Sequence, residues 1–273
     1  MSDLWNILLY HPFVNGLIFL YQLLFNNLGL AIIGLTLVIR GLLIPLTLPS
    51  LKASQKMKEL APELGKLKKR HKNDKQAYAR AQMELYKKHG ANPAAGCLPQ
   101  IVQLVILIAL YQAFRQVLTI DGDSITRLNE ILYSSLKLPQ ETVINTSFTY
   151  LDLAKPDIFK LPEGFLGGVI PGIPGLFLLG AALTQFISSK LMVPQAKKAE
   201  EVAKKTPGEM DNMASMMQKQ MLYIFPLMTL LIGFSFPSGL VLYWFVFSIL
   251  TALQQYYVKL QSDKNNAKKV ILK

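Results

Sequence analysis

Five long apolar blocks, separated by charged segments, are the feature that most constrains how this chain can fold. A helix of about 20 apolar residues crosses the hydrocarbon core of a bilayer, which is about 30 Å thick. The last two blocks are divided by the turn signal Phe236-Pro237-Ser238-Gly239. The sequence therefore predicts an all-α polytopic membrane protein whose five transmembrane helices lie at residues 28–49, 97–118, 172–192, 220–236 and 240–258.

The charges between these blocks predict the orientation of the chain. Residues 50–96 carry twelve Lys/Arg against four Asp/Glu, a net charge of +8, whereas residues 119–171 carry four against seven, a net −3. Residues 190–219 carry six basic against four acidic side chains, and residues 257–273 carry five against one. Basic loops stay on the cytoplasmic side of spanning proteins. We therefore expect the N-terminus outside the membrane and the C-terminus in the cytoplasm.

The N-terminal segment, residues 1–27, is apolar but is interrupted by polar residues such as Asn6 and Asn15. This pattern is typical of an amphipathic helix lying in the outer membrane interface, and a buried span is the alternative. The segment has neither a basic n-region nor a small-residue cleavage site. We expect it to be retained rather than cleaved as a signal peptide.

The main polar segment, residues 50–96, predicts a basic cytoplasmic helical hairpin. Apolar residues recur at helical spacing on both sides of a turn at residues 71–74. Pro62 should kink the first helix or mark its restart. The remaining segments are predicted as short helices and loops outside (119–171), a cytoplasmic loop (193–219) and a basic cytoplasmic tail (259–273).

Arg40 is the most informative residue within the predicted spans. It lies eight residues before Leu48, which on a helix is about 12 Å from the cytoplasmic end of the span. A charge at this depth costs at least about 2.5 kcal/mol, so it normally faces water or a partner. One interpretation is that Arg40 snorkels to the headgroups. The other is that it faces a wet cavity and binds an anionic group of another molecule, with Thr36 one turn away on the same face.

The spans contain other polar side chains. Each of them alone is best explained by a hydrogen bond between helices, whereas the whole set suggests a polar cavity. They are Gln103, Gln112, Gln185, Ser188, Ser189, Tyr243, Trp244, Ser248, Thr251 and Gln254. The five spans contain no Asp or Glu, which argues against a proton-coupled pump. Catalytic motifs are lacking, and the single cysteine, Cys97, leaves too few ligands for a zinc or iron–sulfur site. We therefore predict neither an enzyme nor a metal or other cofactor.

Three stretches resemble the YidC-type membrane protein insertases of bacteria, which have relatives in mitochondria and chloroplasts. They are Ile39-Arg40-Gly41 followed by Leu46-Thr47; Asn92-Pro93-Ala94-Ala95-Gly96-Cys97-Leu98-Pro99 followed by Ile108-Ala109-Leu110-Tyr111; and Phe236-Pro237-Ser238-Gly239-Leu240-Val241-Leu242-Tyr243-Trp244 followed by Gln254-Gln255. The three stretches occur in the order expected for the family, with the basic hairpin between the first two, and together they extend over nearly the whole chain.

The resemblance implies a five-helix core in the bacterial inner membrane that encloses a hydrophilic groove, closed toward the outside but open to the cytoplasm and sideways to lipid. Carried over to this chain, Arg40 would be the positive charge of the groove and Thr36 its neighbour, while Tyr243 and Trp244 would line it. Gln103 and Gln185 are assigned to the groove only from the span in which each lies and the helix face that it occupies. Ser248 stands where many relatives carry asparagine, and Ser188-Ser189 where glutamine is common.

The implied partners are nascent membrane proteins and lipids, with the ribosome and the Sec translocon as further candidates and a monomer as a plausible state. The resemblance thus predicts an insertase that moves polar client tails through the groove and releases apolar segments into lipid. A non-catalytic assembly chaperone is compatible with this function. A transporter or channel is the alternative, although no internal repeat is visible in the sequence.

Overall fold

A computed structural model describes residues 3–71, 74–92, 98–118, 124–161, 172–192 and 220–271. Contacts divide the chain into two compact units, which are described separately. The first comprises Met1–Leu42, Ile101–Ala182 and Met228–Ser248, and the second comprises Leu43–Gln100, Leu183–Leu227 and Ile249–Lys273.

Helices dominate the described residues, and several of them are long. In chain order they are α1 (Asp3–Leu23), α2 (Leu28–Glu59), α3 (Ala61–Arg70), α4 (Lys75–Lys88), α5 (Leu98–Leu118), α6 (Ser124–Ile131), α7 (Leu176–Met192), α8 (Phe225–Gly233) and α9 (Ser238–Ile271). Residues Asn6–Tyr10 of α1 are wound as a π-helix, a second π-helical turn (Gln220–Ile224) precedes α8, and Ser134–Leu136 form a 3₁₀ turn.

Four helices in the described part of the chain are long and apolar enough to cross a membrane, as judged by length and composition. They lie at Asp3–Leu23, Leu28–Met57, Pro99–Leu118 and Ser238–Lys264, and shorter apolar helices lie at Leu176–Leu191 and Leu222–Gly233. The predicted polytopic helical membrane protein is thus confirmed. Three predicted spans correspond to long helices and two to the shorter ones, while α1, predicted as interfacial, also has the length and composition of a span.

Short strands in the segment predicted to lie outside depart from the predicted all-α fold. Ser147–Phe148 (β1) pair antiparallel with Leu151–Asp152 (β2), and Ile158–Lys160 (β3) pair antiparallel with Gly172–Pro174 (β4). Strands of two or three residues are too short to show the alternation of apolar and polar residues by which a strand is recognised in a sequence. The prediction of short helices and loops for residues 119–171 therefore missed β1, β2 and β3. The β4 strand occupies the first residues of the span predicted at 172–192, whose helix begins at Leu176.

In the first unit, Asn15 joins α1 to the end of α6 and to the segment that follows α6. Its side chain is 2% exposed, donates to the Ile131 carbonyl at 3.1 Å and accepts from the Tyr133 N–H at 2.7 Å. Near the other end of α1, the indole N–H of Trp5 donates to Gln112 Oε1 on α5 at 2.9 Å. These bonds hold α1 against α5 and the segment that follows α6.

In the second unit, α3 and α4 contact each other as a helical hairpin. Pro62 is the second residue of α3, where its missing N–H breaks no intrahelical bond, so the chain restarts a helix there rather than kinking one. Asp74 caps α4, since its carboxylate accepts from the Ala77 N–H at 2.9 Å. The predicted elements at residues 93–97 and 193–219 lie outside the described residues.

The hairpin presents an exposed basic surface, and α9 carries further basic residues beyond its apolar part. The exposed cations of the hairpin are Lys66, Lys69, Arg70, Arg80, Lys87 and Lys88. The α9 helix continues through residues 259–271, and the hydroxyl of Ser262 donates to the Glu59 carboxylate. The segment predicted as a basic tail is therefore largely a helical extension.

Candidate functional site: an arginine held among membrane helices

Arg40 lies on α2 within the apolar part of the first unit. Its guanidinium carbon is 4.3 Å from the ring centroid of Phe247 on α9, within the range of a cation–π interaction. The arginine side chain is half-buried. The contact with the ring therefore stabilises a positive charge among apolar helices.

A polar pair extends the site around Phe247. The ring of Tyr243, one turn earlier on α9, lies 5.8 Å from that of Phe247, and the Tyr243 side chain is 1% exposed. Gln103 on α5 donates from Nε2 to the Tyr243 hydroxyl at 3.0 Å. Arg40, Phe247, Tyr243 and Gln103 thus form a continuous group from three helices, here called the Arg40 cluster.

The other predicted site residues are placed differently. Thr36 is 1% exposed and its hydroxyl donates to the Ile32 carbonyl at 2.7 Å, so it satisfies its own helix instead of extending a polar surface. Ser248 is 5% exposed, and Trp244 is half-buried. Gln185 is also half-buried and belongs to the second unit.

Phe247 is the site residue that the sequence reasoning missed. A cation–π contact joins residues far apart in the chain, and no spacing rule predicts it. The available signal was the pair Tyr243 and Phe247, which are four residues apart and therefore share one face of a helix. Tyr243 was singled out, so its neighbour on the same face was a reasonable candidate.

The second unit contains further polar groups within its apolar helices. Gln254 Nε2 donates to Thr47 Oγ1 at 3.1 Å, and the Thr47 hydroxyl donates to the Leu43 carbonyl at 2.9 Å. Within the described ranges, Ser188 Oγ and Gln255 Oε1 are buried without a hydrogen-bond partner. Buried polar atoms of this kind cost about 1–3 kcal/mol unless water reaches them.

The helices and the Arg40 cluster define a polytopic α-helical membrane protein that maintains a cation among its apolar helices. The chain belongs to the family described as 60Kd inner membrane protein, which it matches over residues 19–265.

Three relatives illustrate the similarity, and each is named membrane protein insertase YidC. The protein from Fusobacterium nucleatum is 36% identical over 85% of this chain and 86% of the relative. The Geobacter sulfurreducens protein is 31% identical over 97% of this chain and 39% of the relative. The Ruegeria pomeroyi protein is 34% identical over 90% of this chain and 34% of the relative. The chain thus spans most of the first relative's length and less than half that of the other two.

The recognition of the family from three sequence stretches is therefore confirmed. The predicted class of function, a non-enzymatic membrane protein insertase, is confirmed at the level of that family. How this chain would carry out the function depends on its own residues.

Proposed function

We propose that this chain is a membrane protein insertase that moves polar client tails through a hydrophilic groove and releases apolar segments sideways into the bilayer. The observation that carries the proposal is the Arg40 cluster, because a cation maintained within apolar spanning helices needs a use that offsets its cost. The groove would open to the cytoplasm and to lipid, with Trp244 and Ser248 of the first unit as further lining residues. Gln185, also predicted for the groove, belongs to the second unit.

The mechanism follows from the cost of moving polar groups through hydrocarbon. Each unsatisfied backbone group costs several kcal/mol there, so a hydrated groove that reaches partway across shortens the apolar path. The Arg40 guanidinium would attract the acidic or polar tail of the client by charge-assisted hydrogen bonds. Burial of the client's apolar segment in lipid, together with the membrane potential, would then drive transfer without a nucleotide.

We further propose a bacterial inner-membrane location with the N-terminus outside and the C-terminus in the cytoplasm. The α2, α5, α7, α8 and α9 helices would be the five spans, and α1 would lie in the outer interface. Supporting this orientation, the exposed cations of α3 and α4 fall in the segment of net charge +8.

The basic C-terminal residues are proposed to contact the ribosome, as the source of nascent clients, and the Sec translocon is a further candidate partner. The sequence from residue 259 onward contains five lysines, Lys259, Lys264, Lys268, Lys269 and Lys273, and basic residues of this kind bind ribosomal RNA phosphates. Deleting residues 262–273 should reduce co-sedimentation with ribosomes at low salt. Unchanged co-sedimentation would contradict a ribosome contact through these residues.

The insertase function is tested in proteoliposomes that contain only the purified chain. A single-span client with a short acidic N-terminal tail is added, and protection of that tail from external protease is measured. Proteoliposomes should protect the tail several-fold more than protein-free liposomes of the same lipid composition. Equal protection across several clients would contradict the proposed function and favour the transporter alternative, which ligand-dependent flux would then test.

A further inference from the structure

The segment from Tyr150 to Asp157 is bonded to the N-terminal ends of two membrane helices in the first unit. Asp157 is 1% exposed, and its Oδ2 accepts from the Leu178 N–H of α7 at 2.8 Å. Its backbone carbonyl accepts from the Gly175 N–H, also at 2.8 Å. A buried carboxylate at a helix N-terminus is stabilised by the helix dipole as well as by these N–H groups.

Tyr150 completes the cap on α7. Its hydroxyl donates to Asp157 Oδ1 at 2.9 Å and accepts from the Phe177 N–H at 3.2 Å. The ring stacks on Phe177 and on Phe159, with centroids 5.7 Å apart in both cases. Burial raises the pKa of the Tyr150 phenol, with a further contribution from Asp157, so the hydroxyl keeps the proton that it donates.

The same segment also caps α9. The Ser238 N–H donates to the Lys155 carbonyl at 2.7 Å, and the Gly239 N–H donates to the Leu153 carbonyl at 3.0 Å. The Ser238 hydroxyl donates to the Asp152 carbonyl at 2.8 Å, and the Ser238 side chain is fully buried. One short stretch of chain therefore satisfies the first N–H groups of both α7 and α9.

The resemblance implies a groove that is closed toward the outside. We propose that residues 150–157, called here the outer clasp, keep it closed, because they hold the outer ends of α7 and α9 together. The inference rests on the proposed insertase function and orientation, which place both N-termini at the outer surface. Helix N–H groups that lose their caps need water or another partner, and they are costly if they stay buried without one. Loosening the clasp would therefore let water and ions enter from the outside, and Asp157 and Tyr150 act as positioning residues rather than as client contacts.

The test is ion leakage through proteoliposomes without any client. The variants Asp157→Asn and Tyr150→Phe each weaken the clasp without changing the size of the side chain much, and Tyr150→Phe keeps the ring stack. Proton entry is followed with entrapped pyranine under a potassium diffusion potential. Each variant should raise the leak roughly tenfold over wild type, the change that loss of one charge-assisted hydrogen bond gives in a two-state opening equilibrium.

Lys155→Ala is the matched control in the same segment. The Lys155 side chain is 76% exposed and pairs with Asp152 at 2.7 Å, and its hydrogen bond lowers the pKa of that carboxyl. Its contribution to the α9 cap comes from the backbone carbonyl, which alanine retains. The control should therefore leak like wild type.

If both clasp variants leak at the wild-type rate, at equal amounts of folded protein, the clasp proposal is contradicted. The proposed insertase function is not affected by that result. If Asp157→Asn does not fold, Tyr150→Phe decides the question alone. Leakage in the variants together with no client insertion by wild type would instead contradict the proposed function. The two failures are therefore distinguishable.

Discussion

Replacing Arg40 with alanine is expected to lower the insertion of a client with an acidic tail about tenfold, equivalent to about 1.4 kcal/mol. The guanidinium, whose carbon lies 4.3 Å from the centroid of the Phe247 ring, is the charge to which the tail would bind. One hydrogen bond to a charged group contributes about 1.5–3 kcal/mol. The measurement is the protease-protected fraction of the tail in proteoliposomes. Insertion of a client whose tail is neutral should fall much less, because the substitution removes only the charge-dependent part of the binding.

Arg115→Ala is the control for this prediction. Arg115 is an exposed arginine near the end of α5, also above an aromatic ring, with 6.0 Å from its guanidinium carbon to the centroid of Tyr111. Its removal should leave insertion of the acidic-tail client within about twofold of wild type, since surface charges contribute little. An equal loss in both variants would indicate a general effect of membrane-helix arginines and would contradict charge capture at Arg40.

Gly175→Ala is expected to destabilise the first unit by about 2–3 kcal/mol, a large effect for one methyl group. A side chain at this position would collide with the carboxylate of Asp157. The methyl group would displace the carboxylate from its donors, so the buried Leu178 N–H and the partly buried Tyr150 hydroxyl would lose their acceptor. The measurement is thermal unfolding of the purified chain in detergent, followed by circular dichroism.

Gly41→Ala provides the matched substitution for this experiment. Gly41 lies in α2, and a Cβ atom added there meets nothing within 4 Å. Because alanine is a better helix former than glycine, by about 1 kcal/mol, this variant should be as stable as wild type or slightly more so. A Gly175→Ala chain that unfolds at the wild-type temperature would contradict the proposed geometry of the α7 cap.

The long-range architecture was largely predictable because apolar length and charge alternation are properties of the sequence itself. Leu28–Met57, Pro99–Leu118 and Ser238–Lys264 were recognised on those grounds. The N-terminal helix was harder, since its length suits a span while its polar interruptions suit an interface. The short strands of the segment predicted to lie outside, such as Ser147–Phe148, produce no periodic pattern and were missed.

The sequence offers candidate site residues but not their contacts. A cation within an apolar block is conspicuous in a sequence, which makes Arg40 a candidate. The contact of Arg40 with Phe247 and the bond from Gln103 to Tyr243 depend on how α2, α5 and α9 pack. Spacing on a helix places Thr36 one turn from Arg40, but it does not show that the Thr36 hydroxyl donates to its own helix at the Ile32 carbonyl.

The most direct test of the central claim is to locate the client during insertion. A photo-crosslinking amino acid is placed at Trp244, a half-buried position three residues from Phe247, and at Leu42, which is 74% exposed on α2. During insertion of the acidic-tail client, the probe at position 244 should crosslink to the polar tail, whereas the probe at position 42 should crosslink mainly to lipid or to apolar client residues. Tail crosslinks that are absent at position 244, or equally strong at position 42, would contradict passage of the tail beside the Arg40 cluster.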